Sequence, residues 1–336
     1  MPARHYTLHT RSLLLLCFLC LSLDTAAAAD ANCAAIEKPE ARLQCYDRQA
    51  QSGAAQEARN RSYLTRSWDL DNRDDELLGD QQSPLRPHKG TYVIIRQTMG
   101  PNHFPDTPTH AALGTPEDLQ LKEIKFQFSQ KAKLLNPLQI HFLGFQGMRL
   151  WAAYTQQSNW QAFNAGDSSP FRETNYEPEL ILMLNTGNAY GMKLLNIGYN
   201  HQSNGRSQNM SRSWNRMYMQ GGWETETLTI MARAWWRIPE DYTQDDNPDI
   251  VEYIGRGDLN LRWEPQDRSQ VVDITLRNNL NVDTNRGFIQ IDWATPINVS
   301  KSTRLNLQLT SGFGESLIDY NFQQTTFGAG ISFRDW

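Results

Sequence analysis

The sequence predicts an all-β protein, a twelve-stranded antiparallel transmembrane β-barrel with a short N-terminal periplasmic extension. Three observations carry that expectation. Apolar and polar residues alternate over most of the chain beyond residue 88, the N-terminus reads as a secretory leader, and no later stretch is long and apolar enough for a transmembrane helix. A barrel hides its hydrophobicity in alternation, so the 39% hydrophobic content does not exclude a membrane.

Taken in order, Arg4 and Arg11 precede an apolar run from Leu13 to Leu23, and Ala27-Ala28-Ala29 supplies small residues for cleavage, so residues 1–29 read as a signal peptide. Cys17 and Cys20 leave with it. Cys33 and Cys45 remain in an oxidising compartment, where a disulfide closing a short loop is expected and two free thiols are the alternative. Residues 30–88 are rich in Ala, Gln, Arg, Asp and Ser, with helical spacing near Ala34 to Ala50, and read as a helical or partly disordered periplasmic arm. Their acidic patch, Asp69, Asp71, Asp74, Asp75 and Glu76, lacks the glycine and spacing of an EF-hand loop and reads as a solvated charge run. A net charge of -5 offers no basic stripe for nucleic acid.

Residues 89–336 form the barrel domain. Strands are expected to begin near Tyr92, Lys122, Met148, Tyr176, Lys193, Ser213, Leu228, Ile250, Val271, Gly287, Thr303 and Thr325. Outward faces follow from parity: Ile124, Phe126 and Phe128; Leu228, Ile230, Ala232, Ala234 and Trp236; Val272, Ile274 and Leu276; Leu305, Leu307 and Leu309. Lys125, Gln127, Arg233, Asp273, Arg277, Arg304, Asn306 and Gln308 face inward. The ten Trp suit interfacial girdles and Trp336 suits a terminal aromatic signal, although Arg334-Asp335 breaks the phase just before it.

The chemistry concentrates in one hairpin. Leu195, Ile197, Tyr199, His201 and Ser203 share one strand face, apolar until the His and the Ser, while Asn196, Gly198, Asn200 and Gln202 share the other. A register pairing Ser203 with Ser213 sets His201 opposite Asn215, and directly opposed side chains lie about 5 Å apart at Cβ. Ser203 then reads as nucleophile, His201 as general base and acid, and Asn215 as the acceptor that orients the imidazole. An amide stabilises an imidazolium less than a carboxylate does, so loss of Asn215 is expected to cost less than loss of Ser203 or His201. In a barrel whose N-terminus is periplasmic, this fifth strand ends at the extracellular rim, at the depth where a phospholipid ester lies.

Tyr199 to Arg206 with Ser211-Arg212-Ser213-Trp214-Asn215-Arg216, together with Ser168 to Pro178, Asp246 to Ile250 and Gly314 to Phe322, resembles the signature of the outer membrane phospholipase A family. The resemblance covers the region from about Lys122 to the C-terminus. It implies a twelve-stranded barrel enzyme that depends on calcium and hydrolyses acyl ester bonds at both glycerol positions of phospholipids and lysophospholipids. A hard cation also suits the chemistry, since a rim site open to lipid has few groups besides the Asn204-Gly205 backbone to stabilise an oxyanion.

The resemblance places calcium with the Arg206 carbonyl, Ser211 and a Ser168 from a second subunit, and assigns Asp246 to a calcium site of the monomer. The chain departs from the pattern at Gln208, where some members of the family carry an Asp. Gln156, an amide sharing a face with Leu150, Ala152 and Tyr154, is implied to bond across a homodimer interface, so that association switches on activity. A passive barrel, a pore or a structural protein, would show the same alternation. It would keep its functional polar residues on the inward parity, whereas His201, Ser203 and Asn215 have the outward one. A barrel protease would need acids and a cleft open to soluble peptide.

Overall fold

The computed structural model describes residues 33–74, 85–135, 138, 144–297 and 302–333. The expected signal peptide, Asp75, Glu76 and the Arg334 to Trp336 terminus lie outside them. A boundary between two compact units falls after Gly53. In the first unit, Cys33 and Cys45 form a disulfide with their Cα atoms 5.5 Å apart. Helix α1, Pro39–Asn60, begins there, with Glu40 in its first turn.

In the second unit the alternation does fold into strands. β1 is Leu85–Pro87 and β2 to β5 are Thr91–Thr98, Lys122–Lys133, Gly147–Trp160 and Phe171–Asn185. β6 to β9 are Met192–Ser203, Ser213–Glu224, Leu228–Arg237 and Gly257–Trp263. β10 to β13 are Val271–Asn278, Gly287–Pro296, Thr303–Gly312 and Gln324–Phe333. Each of β2 to β13 pairs antiparallel with its neighbours, and β13 pairs with β2, so the sheet closes into a twelve-stranded barrel. The short β1 adds to the edge of β3, where Leu85 faces Ala132. Closure leaves no barrel strand with an open edge, which a sheet in lipid requires.

Two strand expectations need correction. Ile250–Ile254 is a short helix, α3, and the strand begins at Gly257. Asp249 precedes the helix and Gly255, at φ +80°, ends it, so a local turn overrides the apolar spacing of Ile250 and Ile254. The fourth barrel strand begins at Phe171, five residues before Tyr176, because Phe171 pairs with Trp160 through a bulge and stacks on its ring.

The inward parity is buried and ionic. Lys125, Arg304, Asn306 and Gln308 are all buried, as their parity demands. Lys125 Nζ donates to Glu315 Oε1 at 3.0 Å and to Gln308 Oε1 at 2.9 Å, and Arg96 bridges Glu123 and Glu315. The loop from Phe313 to Phe322 folds into the lumen, burying Leu317, Ile318 and Tyr320, and its backbone N–H groups bond Asn175 and Glu173 of β5.

Four of the ten Trp depart from the girdle expectation: Trp68, Trp151, Trp214 and Trp235 are buried. Lumen cations account for this, since Lys131 lies 3.4 Å from the centre of the Trp68 ring and Arg216 lies 4.0 Å from that of Trp214. On β6, Gly198 makes room for the Tyr218 ring, which a Cβ there would strike.

The acidic patch is also corrected. Helix α2, Tyr63–Trp68, lies at the end of β7 remote from Ser213, with Leu64 fully buried and its N–H on Glu224 Oε1 at 2.9 Å. Asp69 and Asp74 follow it and are only 2% and 1% exposed, so they are not solvated. Arg149, Lys133 and Arg61 surround Asp69, while Arg61, Arg86 and Lys133 surround Asp74. Most of the partners come from β1, β3 and β4, far along the chain, and Arg61 from the link between α1 and α2, so no local sequence pattern announces them.

Candidate active site

The hairpin of β6 and β7 carries the site. Its register pairs His201 with Asn215 and Ser203 with Ser213, as the sequence predicts. The inward residues between them are locked: Asn196 and Asn200 are fully buried, and Asn200 Nδ2 donates to Glu177 Oε1 at 2.8 Å. Arg216 reaches the same carboxylate at 3.1 Å. His201, Ser203 and Asn215 are half-buried on the outward parity, beside exposed Tyr199, Met217 and Met219. On the other side of β6 the ladder to β5 skips Glu177 and Pro178, opposite Gln202 and His201, and Pro178 has no N–H to give.

A chain of directed hydrogen bonds sets the imidazole. Asn215 Nδ2 donates to Glu240 Oε1 at 3.4 Å, which turns Oδ1 toward β6. That oxygen accepts from the Tyr199 hydroxyl at 2.7 Å and lies 2.9 Å from His201 Nδ1. Oδ1 can only accept, so Nδ1 carries the proton and Nε2 is left as a base. Ser203 lies two residues further along the same face, and no Ser203–His201 hydrogen bond forms among the described residues. Catalytic hydrogen bonds are often completed only when substrate arrives.

The turn after Ser203 is held by Asn204. Its N–H donates to the Arg212 carbonyl at 3.0 Å, and its Oδ1 accepts from the N–H groups of Arg206 and Arg212. Gly205, at φ +63°, runs against the Tyr176 ring, which a Cβ there would meet at 3.0 Å. Ser211 Oγ donates to Asp246 Oδ2 at 2.7 Å, and Ser213 Oγ approaches the same oxygen at 3.4 Å. Asp246 therefore meets the strand residue that faces Ser203. His110 Nε2 lies 3.8 Å from Asp246 Oδ1, brought there by a loop whose Thr109 hydroxyl bonds the Asp245 carbonyl.

Hydroxyl and carboxylate oxygens thus converge on one point, the donor set that a calcium ion takes. Among the described residues no group of three His, Cys, Asp or Glu could hold a metal, so any cation there depends on hydroxyls and carbonyls as well. Arg206 is anchored through Nη1 to the Arg172 carbonyl. Gln208 has a left-handed backbone at φ +55°.

Ser168 lies apart from this group, in the exposed loop between β4 and β5, where it and Ser169 both have positive φ. Gln156 is half-buried on β4, accepts from the Tyr154 hydroxyl at 3.2 Å and donates to Ser158 Oγ at 3.4 Å. Sequence reasoning missed Glu240 and His110, which come from loops without periodicity. Tyr199 shared the outward parity of His201, and that was the available signal for it.

A closed antiparallel barrel with an apolar outward belt defines an outer-membrane β-barrel protein. The phospholipase A1 family model matches residues 64–333. Phospholipase A1 of Escherichia coli K12 is 37% identical over 264 residues, covering 77% of this chain and 85% of that protein. The outer membrane phospholipase A structure from E. coli superposes with a TM-score of 0.65 at 36% identity, covering 75% of this chain and 99% of that one. The Salmonella typhi outer membrane phospholipase, solved as a dimer with bound calcium, gives a TM-score of 0.64 at 36% identity, covering 74% of this chain and 91% of that one. The chain belongs to the phospholipase A1 family. It is a Gram-negative outer-membrane β-barrel and a lipid ester hydrolase.

Proposed function

We propose that the chain hydrolyses sn-1 and sn-2 acyl esters of phospholipids and lysophospholipids with Ser203 as nucleophile, His201 as base and acid, and Asn215 orienting the ring. The observation that carries the reading is the 2.9 Å contact between His201 Nδ1 and Asn215 Oδ1 on the lipid-facing parity, two residues from Ser203. His201 Nε2 takes the Ser203 proton as the hydroxyl attacks the ester carbonyl, then returns it to the leaving lipid alcohol. Water, deprotonated by the same nitrogen, releases the fatty acid from the acyl-enzyme. The site faces the outer leaflet, where an ester comes within reach of the rim and a soluble substrate does not.

Calcium fits the oxygens of Ser211 and Asp246, with the Arg206 carbonyl nearby in sequence, and would stabilise oxyanion charge. Activity requires a homodimer, in which the partner contributes a Ser168 ligand and Gln156 exchanges its bonds within the strand for one across the interface. The dimer with bound calcium in the Salmonella relative supports both points. An E. coli relative solved as an active-site mutant, with an asparagine replaced by alanine, supports the amide as a working member of the site. Fatty-acid release from phospholipid in detergent micelles, measured for the refolded protein and Ser203→Ala with calcium and with chelator, tests the reading. Calcium-dependent release lost in the mutant is expected. Two equally inert proteins under dimer-supporting conditions would favour the passive barrel instead.

A further inference from the structure

We infer that Glu240 is a fourth, positioning member of this site, supplying through Asn215 the negative charge that the neutral amide lacks. The inference rests on the triad reading above. In a serine hydrolase the third member holds the imidazole tautomer and stabilises the imidazolium formed during proton transfer, and a carboxylate does both. An amide does the first well and the second poorly. Here the amide is not alone: Asn215 Nδ2 donates to Glu240 Oε1 at 3.4 Å while Asn215 Oδ1 faces His201 Nδ1 at 2.9 Å. The carboxylate, the amide and the imidazole therefore form one line of donors and acceptors, each polarising the next.

The arrangement has a second consequence, for orientation. The amide of Asn215 has two competing faces, and Tyr199 can donate to an oxygen or accept from a nitrogen, so Tyr199 by itself leaves the amide free to flip. A carboxylate can only accept. Glu240 thus decides which end of the amide meets His201, and a flipped amide would oppose its Nδ2 hydrogens to the protonated Nδ1.

The local fold holds Glu240 in place. The Ile238 N–H donates to the Asn215 carbonyl at 2.8 Å, so the chain leaves β8 anchored beside Asn215, and Pro239, whose ring fixes φ, separates that anchor from Glu240. Among the described residues Glu240 makes no ion pair that would neutralise it. Arg237, the last residue of β8 and three residues before Glu240, is held by Asp245 through two bonds of 2.6 Å. The groups that share the amide with His201 are thus Tyr199 from β6 and Glu240 from the loop, and only the latter is a carboxylate.

The experiment compares the wild type, Ser203→Ala, Glu240→Gln, Glu240→Asp and Glu240→Ala, refolded into micelles and checked for folding by heat-modifiable migration. Fatty-acid release is measured as kcat and KM with saturating calcium across pH. Glu240→Gln should lower kcat roughly five-fold at unchanged KM and move the acid limb of kcat/KM about half a unit downward, because removing a negative charge near His201 makes it a weaker base. Glu240→Asp should restore most of the limb, and Glu240→Ala should match or exceed the loss in Glu240→Gln. A Glu240→Gln enzyme with wild-type kcat and an unmoved limb, while Ser203→Ala is dead, overturns the role of Glu240 and leaves the triad standing. A limb unmoved in every Glu240 variant with lowered kcat also overturns it, since a merely structural loop residue would behave so. Activity retained by Ser203→Ala removes the triad itself, and Glu240 with it.

Discussion

The two faces of the β6–β7 hairpin differ more than any two separate regions of the barrel. Inward, Asn200, Arg216 and Glu177 satisfy one another within a buried cluster. Outward, one residue along, His201, Asn215 and Ser203 stand half-buried at the lipid boundary with a few directed bonds. The inner face resists change because a broken bond there leaves a buried charge unpaired. The outer face can hold groups ready for substrate because the inner one secures the backbone beneath them. Stability and chemistry are thus divided between alternate residues of the same two strands.

The division is sharpest at its extremes. Ser203→Ala is expected to lower fatty-acid release by about 10³-fold or more while the barrel migrates as a folded species on gels, with no change in thermal unfolding. Arg233→Met is the opposite case. Arg233, on the lumen side of the adjacent β8, is the close ion partner of Asp258 on β9 and a more distant one of Glu179, which keeps His88 and Lys89. A stability loss of about 3 kcal/mol in denaturant unfolding is expected, with turnover per folded molecule within a few-fold of wild type. If Arg233→Met instead abolished turnover in fully folded protein, the buried lumen network and the outward-facing site would not be independent.

Asn215→Ala lies between these, removing the orienting acceptor but not the base, and about 10²-fold loss of kcat is expected, less than for His201→Ala. Equal losses for the two would mean that the ring has no other restraint.

The smallest effect concerns the far end. Burial works against the Asp69 carboxylate, but Lys133 and Arg149 outweigh it and hold its pKa below the ordinary carboxylate range. A depressed pKa contributes stability that is present above the unfolded pKa and lost as pH falls through the folded one. Wild type should therefore exceed Asp69→Asn by roughly 1–3 kcal/mol at pH 7, and the gap should shrink only as pH falls below the ordinary carboxylate range, by thermal unfolding at each pH. Fatty-acid release per folded molecule should not change, because α2 and the site lie at opposite ends of β7.

Much of this was legible in the residues themselves. Period-two alternation separates lipid face from lumen because side chains on a strand must alternate, and the same rule set His201, Ser203 and Asn215 on one parity with the right partners. The hairpin register followed from its turn and flanking strands, which are local. Where the reading failed, a local turn or a distant partner was responsible. Ile250–Ile254 has the spacing of a strand but a capping glycine. Trp68, Trp151, Trp214 and Trp235 look like girdle residues until lumen cations meet them.

What the sequence by itself determined is the strand alternation, the parity of each face and the trio on one hairpin, because each depends on neighbours a few residues away. Tertiary structure alone decided the rest. It brought Glu240 to Asn215 across 25 residues, Asp246 to Ser211 across 35, and Arg149 to Asp69 across 80. The physical reason is that a charge or hydrogen bond carries no period: a carboxylate in a loop reads the same whether it faces water or a buried partner. The packing of the loops against the strand ends settles which.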